Sequence, residues 1–151
     1  GGVRFVKGAY RRPCSAGGFE LSEGGGRVSR PTARPLLAAF YPELGAVRQP
    51  LAGEVAAPRS LLERLPFATG YAVEMAMLLD VHEAVGAAAI AQVDIGERRN
   101  FNRPLAALEP MADTVLAVVC ERLRREGRLA GGAAPEAPAE RPPWVSLGAP
   151  A

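Results

Sequence analysis

Two strand-like runs, set far apart with helical segments between them, constrain this chain most. Val3 to Tyr10 reads as a strand with Val3, Phe5 and Tyr10 packing, closed by Arg11, Arg12 and Pro13. Ala88 to Ile95, carrying Ile90, Val93 and Ile95, reads as a buried strand. Pro31 to Phe40 reads as a helix whose start is kinked or delayed by Pro35. Ala46 to Pro50 reads as a short strand, and Pro58 to Leu65 as a short helix with proline near its first position. Tyr71 to Val85 is the clearest helix, and Pro104 to Gly127 is mostly helix, bent near Pro110. Strands alternating with helices predict an α/β sheet. The strands are few for a complete sheet, so the expectation is part of a larger domain.

Composition narrows the function classes. A chain of 151 residues, 48% of them apolar, is long enough for one domain with a real core. A net charge of +2 gives no argument for nucleic acid or a membrane surface. No apolar run is long enough for a membrane span, and the N-terminus has no signal-peptide pattern. Cys14 and Cys120 make no disulfide framework and no zinc spacing, which reads as a reducing cytoplasm. Lys7 is the only lysine among 18 Lys and Arg. From Ala130 onward the chain is rich in Ala, Pro and Gly. The expectation there is a disordered tail over 130–151 behind a folded part at 1–129, because such a segment buries too little apolar surface to offset its ordering entropy.

Chemistry concentrates in a few places. Gly24-Gly25-Gly26 runs into Arg27-Val28-Ser29 just ahead of a helical stretch. Glycines let backbone N–H groups approach a ligand, Arg27 offers a fork of donors, and Ser29 adds a hydroxyl where a helix N-terminus favours an anion. Together they suggest a seat for a small, doubly charged molecule. Glu74 is an acid on an otherwise apolar stripe formed with Gly70, Tyr71, Met77, Leu78 and Val81. A buried carboxylate needs a partner, a raised pKa or a ligand. The two readings are pairing with Arg98 or Arg99, and a carboxylate facing the hydroxyls of a sugar. Asp80, His82 and Glu83 read as an exposed helix face. The loop Gly96 to Arg103 follows a strand and supplies three arginines and two asparagines for an anionic, hydroxylated ligand. Gln49 to Glu54 reads as a turn. There is no Walker loop, dinucleotide fingerprint, nucleophile elbow or Asp-x-Asp, and His82 alone cannot build a metal site.

An ordered set of motifs runs from Val6-Lys7 and Tyr10-Arg11-Arg12-Pro13 through Gly24-Gly25-Gly26-Arg27-Val28 and Ala33-Arg34-Pro35-Leu36-Leu37. It continues with Tyr41-Pro42-Glu43-Leu44-Gly45, Gln49-Pro50-Leu51-Ala52-Gly53-Glu54, Leu65-Pro66-Phe67 and Gly70-Tyr71-Ala72-Val73-Glu74. It ends with Ala89-Ile90-Ala91-Gln92-Val93 and Asn102-Arg103-Pro104-Leu105. In order and spacing, over roughly residues 3–115, it resembles the C-terminal half of the glucosyl-3-phosphoglycerate synthases. These are retaining glycosyltransferases of GT-A type fold that use UDP-glucose, 3-phosphoglycerate and Mg²⁺. The resemblance implies that Gly26, Arg27, Ser29 and Asn102 hold the acceptor. It implies that Leu51, Tyr71 and Glu74 line the sugar pocket, with Glu74 stabilising developing oxocarbenium charge. The donor half, with its metal-binding Asp-x-Asp, is expected upstream.

Three departures matter. Asn100 stands where the family has a metal-ligating His, Ala72 where it has Gly, and Ser29 where it usually has Thr. The alternatives left open are a mannosyl-3-phosphoglycerate synthase using GDP-mannose and a non-catalytic phosphoglycerate-binding remnant. The long apolar face of the 104–127 helix is expected to offer a dimer surface.

Overall fold

The computed structural model describes residues 2–16, 19–21, 26–98, 104–132 and 135–148. At its centre lies β1 (Phe5–Arg11). On one side it pairs antiparallel with the two-residue β4 (Val55–Ala56), on the other parallel with β6 (Ile90–Glu97), giving the order β4-β1-β6. The parallel register matches Phe5 with Ile90 and Lys7 with Gln92, and it shifts at a bulge between Ala9 and Arg11. A parallel pair requires a long crossover. Here that crossover carries α1 (Arg34–Phe40), α2 (Arg59–Leu62) and α3 (Val73–Val85).

Helix α3 is apolar on most sides and buries Met75, Ala76, Leu78, Leu79 and Val81. Burying each of the larger side chains contributes about 1.5–3 kcal/mol. The helix stops at Gly86, which takes φ +79° and donates its N–H to the His82 carbonyl. Helix α4 (Glu109–Arg125) lays Val115, Val118, Val119 and Leu123 into the same core as Leu37, Leu44 and Leu78. A smaller cluster of Phe5, Leu61, Leu65 and Val81 fastens β1 to α2 and α3. Among the described residues no helix is long and apolar enough to cross a membrane.

The mixed α/β expectation holds, and several details differ. The glycine-rich stretch 14–26, which composition suggests is a loop, contains two short strands, β2 (Cys14–Ala16) and β3 (Phe19–Leu21), paired antiparallel. The 46–50 stretch is no strand, because its polar groups bond sideways: Gln92 accepts from the Arg48 N–H and donates to the Ala46 carbonyl. Pro110 begins α4 rather than bending it, since proline is tolerated in a first turn. Strand β6 is not buried along its length: Val93 and Ile95 are 48% and 46% exposed. It is an edge strand, and no described element covers that face.

Asp80 is not on an exposed face either. It is buried and bound in bidentate fashion by the buried Arg122, at 2.6 and 2.8 Å. The apolar face of α4, expected as a dimer surface, is already covered by the chain's own core.

The tail is the largest correction. Residues 139–148 run back along the body, where β7 (Glu140–Arg141) pairs antiparallel with β5 (Phe67–Ala68). Glu140 bridges Arg122 and Arg125, and the Val145 N–H reaches the Glu63 carbonyl at 3.1 Å. Composition does not show these contacts, because they are strand pairing, backbone bonds and one carboxylate supplied to a buried guanidinium from far along the chain. Trp144 remains 51% exposed beside Leu62 and Phe67.

Candidate functional site

A polar cleft of about 130 Å³ opens at the carboxyl ends of β1 and β6, where ligands of open α/β sheets bind. Tyr10, Arg11 and Arg12 come from the end of β1, and Arg48 and Gln49 from the loop that Gln92 clamps. Gly26, Ser29, Arg30 and Arg34 come from the start of the helical stretch 29–40. Gly26 has φ +79°, in the left-handed region that favours glycine, and it turns the chain into that helix. Its carbonyl accepts from the Arg30 N–H at 2.8 Å. Ser29 is buried, so its hydroxyl lies at the cleft's floor rather than in bulk water.

Five arginines wall this cleft, and some are already engaged. Arg11 pairs with Glu97 at 3.2 Å and Arg48 with Asp94 at 3.6 Å. Arg12 donates to the Tyr10 hydroxyl at 2.6 Å and stacks 5.0 Å from its ring centroid. Arg34 has no carboxylate partner among the described residues. Among the described residues three polar side-chain atoms are buried without a hydrogen-bond partner, and two of them belong to this cleft: the Arg12 Nε and the Gln49 Oε1, the third being the Glu54 Oε2. Gln49 spends its amide nitrogen on the Tyr10 carbonyl, at 3.0 Å. Such orphans are rare in folded proteins and mark a place for a ligand or solvent. Here they supply a donor and an acceptor to a strongly basic cleft, which suits an oxyanion carrying a hydroxyl.

The structure thus brings Gly26 and Ser29 to the cleft, and the arginines that wall it differ from the one singled out in the sequence. Arg27 is exposed and does not line it. Arg12, Arg30, Arg34, Arg48 and Gln49 are the residues sequence reasoning missed. A signal for two of them was present, since Arg30 and Arg34 stand four residues apart, at helical spacing, just after Ser29. Asn100 and Asn102 lie outside the described residues.

A second group gathers around Glu74. It sits in the first turn of α3, where the helix dipole favours an anion. The turn Leu51–Gly53 packs against it so closely that a Cβ on Gly53 would stand 3.4 Å from Glu74 Oε1. Leu51 is buried in the core beside Ala72, and Tyr71 is 36% exposed at the mouth of α3. The predicted trio of Leu51, Tyr71 and Glu74 therefore belongs to one end of α3 and the turn against it.

The expected partner of Glu74 is different. Arg98 pairs with Glu54, not Glu74, and Arg99 lies outside the described residues. Glu74 acts instead on the charge of Lys7, which is only 1% exposed and whose Nζ donates to the Ala52 carbonyl at 2.8 Å. Burial pulls the Lys7 ammonium down to about 8, and the Glu74 charge opposes that fall. Among the described residues no group of three or more His, Cys, Asp and Glu side chains is placed to hold a metal ion.

Comparison with known proteins finds close relatives of this chain. No protein-family model matches the chain. The glucosyl-3-phosphoglycerate synthase of Mycolicibacterium smegmatis is 50% identical over 121 residues, 80% of this chain and 40% of that protein. The enzyme of the same name from Petrotoga mobilis is 46% identical over 127 residues, 84% of this chain and 39% of that protein. The chain belongs to the glucosyl-3-phosphoglycerate synthase family. It spans about two fifths of the length of the curated relatives it matches.

Solved structures agree on the fold. The mannosyl-3-phosphoglycerate synthase of Rubrobacter xylanophilus superposes with a TM-score of 0.81 at 44% identity, covering 96% of this chain and 51% of that one. The glucosyl-3-phosphoglycerate synthase of Mycobacterium tuberculosis, in complex with Mn²⁺, UDP-glucose and phosphoglyceric acid, gives 0.76 at 40% identity, covering 96% and 50%.

Proposed function

We propose that this chain is the acceptor-side part of a retaining glycosyltransferase that moves glucose from UDP-glucose to the 2-hydroxyl of 3-phosphoglycerate. The observation that carries the reading is the arginine-walled cleft holding Gly26 and Ser29. Its size and charge suit a three-carbon molecule with a phosphate and a carboxylate, and phosphoglyceric acid is what the Mycobacterium tuberculosis relative binds.

In this reading Ser29, the Gly26 backbone and the arginines seat the acceptor's two anionic groups, with Arg27 and Asn102 contributing as the resemblance implies. Glu74 faces the donor sugar beside Tyr71 and Leu51 and stabilises positive charge developing at the anomeric carbon. The catalytic contribution is positioning and electrostatics.

The metal we propose is Mg²⁺, although the described residues present no complete donor set for it, so no step here depends on it. Asn100 remains the residue by which this chain would reach such an ion. A cytoplasmic location follows from substrates that are phosphorylated and do not cross membranes unaided.

The mannosyl alternative has one observation in its favour, the likeness to the Rubrobacter xylanophilus enzyme. The deciding experiment offers 3-phosphoglycerate with UDP-glucose or GDP-mannose to the enzyme expressed from its own gene, this chain with whatever coding sequence adjoins it. Release of glucosyl-3-phosphoglycerate from UDP-glucose is expected. Product from GDP-mannose alone would favour the mannosyl reading. Binding of 3-phosphoglycerate without transfer from either donor would leave a binding remnant.

A further inference from the structure

Lys7 is the one buried cation for which a purely structural role explains too little. It sits at the middle of β1, between Val55 of β4 and Gln92 of β6. Strand alternation puts it on the same face as Phe5, which packs on Leu61, Leu65 and Val81. That face looks toward α3, and so toward Glu74. The ammonium has three donors, and the Ala52 carbonyl takes one of them. Ala52 joins Leu51 to Gly53, the turn that closes on the Glu74 carboxylate. A buried cation with a single carbonyl partner suits a compact ammonium better than a planar guanidinium, and lysine appears here in a chain whose other Lys and Arg positions are all arginine.

We propose that Lys7 is a positioning residue of the sugar pocket: it pins the 51–53 turn through the Ala52 carbonyl and balances the charge of Glu74 across that turn. The proposal rests on the reading of Leu51, Tyr71 and Glu74 as the sugar-facing group. Among the described residues the charge that acts on Lys7 is Glu74 on α3, while Glu54 on the neighbouring turn pairs with Arg98. The lowered proton affinity of Lys7 adds a functional corollary, since the pocket loses its balancing charge above about pH 8.

The test uses Lys7→Met and Lys7→Arg in the enzyme expressed from its own gene. Lys7→Met is expected to lower kcat about 100-fold, the scale of a mispositioned catalytic group. The KM for 3-phosphoglycerate should change far less than kcat, because Lys7 does not itself line the acceptor cleft. The wild-type kcat should fall above pH 8, and in Lys7→Arg whatever activity survives should lose that alkaline limb. A Lys7→Met enzyme with wild-type kcat and an unchanged limb would overturn the proposal.

A second measurement needs no turnover. The ¹³Cε resonance of Lys7, assigned by its loss in Lys7→Arg, is followed against pH in wild type and in Glu74→Gln. Titration near 8 that moves lower in Glu74→Gln is expected, because the Glu74 charge raises it. An unmoved midpoint would sink the coupling whether or not the transferase reading stands. Absence of transfer by wild type would instead count against the transferase reading.

Discussion

Two places in this molecule bury positive charge, and they do it in opposite ways. Arg122 is saturated: Asp80 grips it with two bonds, Glu140 adds a second carboxylate, and β7 is drawn in to supply it. Burial opposes its charge, but the two carboxylates outweigh burial and hold the guanidinium protonated. At the other end, the cleft keeps Arg12 Nε and Gln49 Oε1 without partners, and Lys7 has one carbonyl and one distant carboxylate. The saturated centre holds the fold. The unsaturated one stores binding capacity, because a polar group already satisfied has little to offer a ligand.

If that contrast is right, removing a carboxylate does its greatest damage at Arg122. Asp80→Asn leaves a buried guanidinium short of a partner and is expected to cost about 3–5 kcal/mol in chemical denaturation. The affinity for 3-phosphoglycerate of the protein that remains folded should be unchanged. A loss of affinity at full stability would erase the distinction between the two centres.

Lys7 should show the opposite sign of pH dependence from a saturated ion pair. Its folded pKa, about 8, lies below its unfolded value, so the unfolded chain binds more protons between those values. Stability relative to Lys7→Met should therefore rise as pH goes from 8 to 10.5, by about 3 kcal/mol in total. A flat difference across that window would show the ammonium to be solvated.

In the cleft, Arg34→Ala should raise the KM for 3-phosphoglycerate roughly 30-fold, the size of one lost charge-assisted hydrogen bond of about 2 kcal/mol. Arg27→Ala should raise it as well if the resemblance carries over to that position. The smallest effect belongs to Glu140→Gln, on the half-exposed rim of the saturated centre. Burial disfavours its ionisation, yet hydrogen bonds from Arg125 and Arg122 keep its pKa below the usual carboxylate range. Its stabilisation is present at neutral pH and lost as pH falls through that lowered value. The variant should lose about 1 kcal/mol or less at pH 7 and flatten the acid limb of unfolding.

The sequence was most readable where one residue type acts locally. Gly26 with Ser29 announced a turn into a helix, and the apolar run of α3 with a lone Glu74 announced an acid at a special place. What could not be read were partnerships made across the sheet. Nothing near Lys7 in the chain names Glu74 as its counter-charge, because parallel pairing and a crossover of many residues bring them together. Nothing in an Ala- and Pro-rich tail reveals that Glu140 satisfies Arg122. The buried appearance of β6 came from its composition, and composition does not say that a strand lies at an edge.

The account stands most directly on one titration: 3-phosphoglycerate into the wild-type protein and into Arg34→Ala, followed by calorimetry. Saturable binding at one site per chain, weakened roughly 30-fold in the variant, is the predicted result. No saturable heat with wild type, or equal affinities in the two proteins, would contradict the claim that the arginine-walled cleft is the acceptor seat.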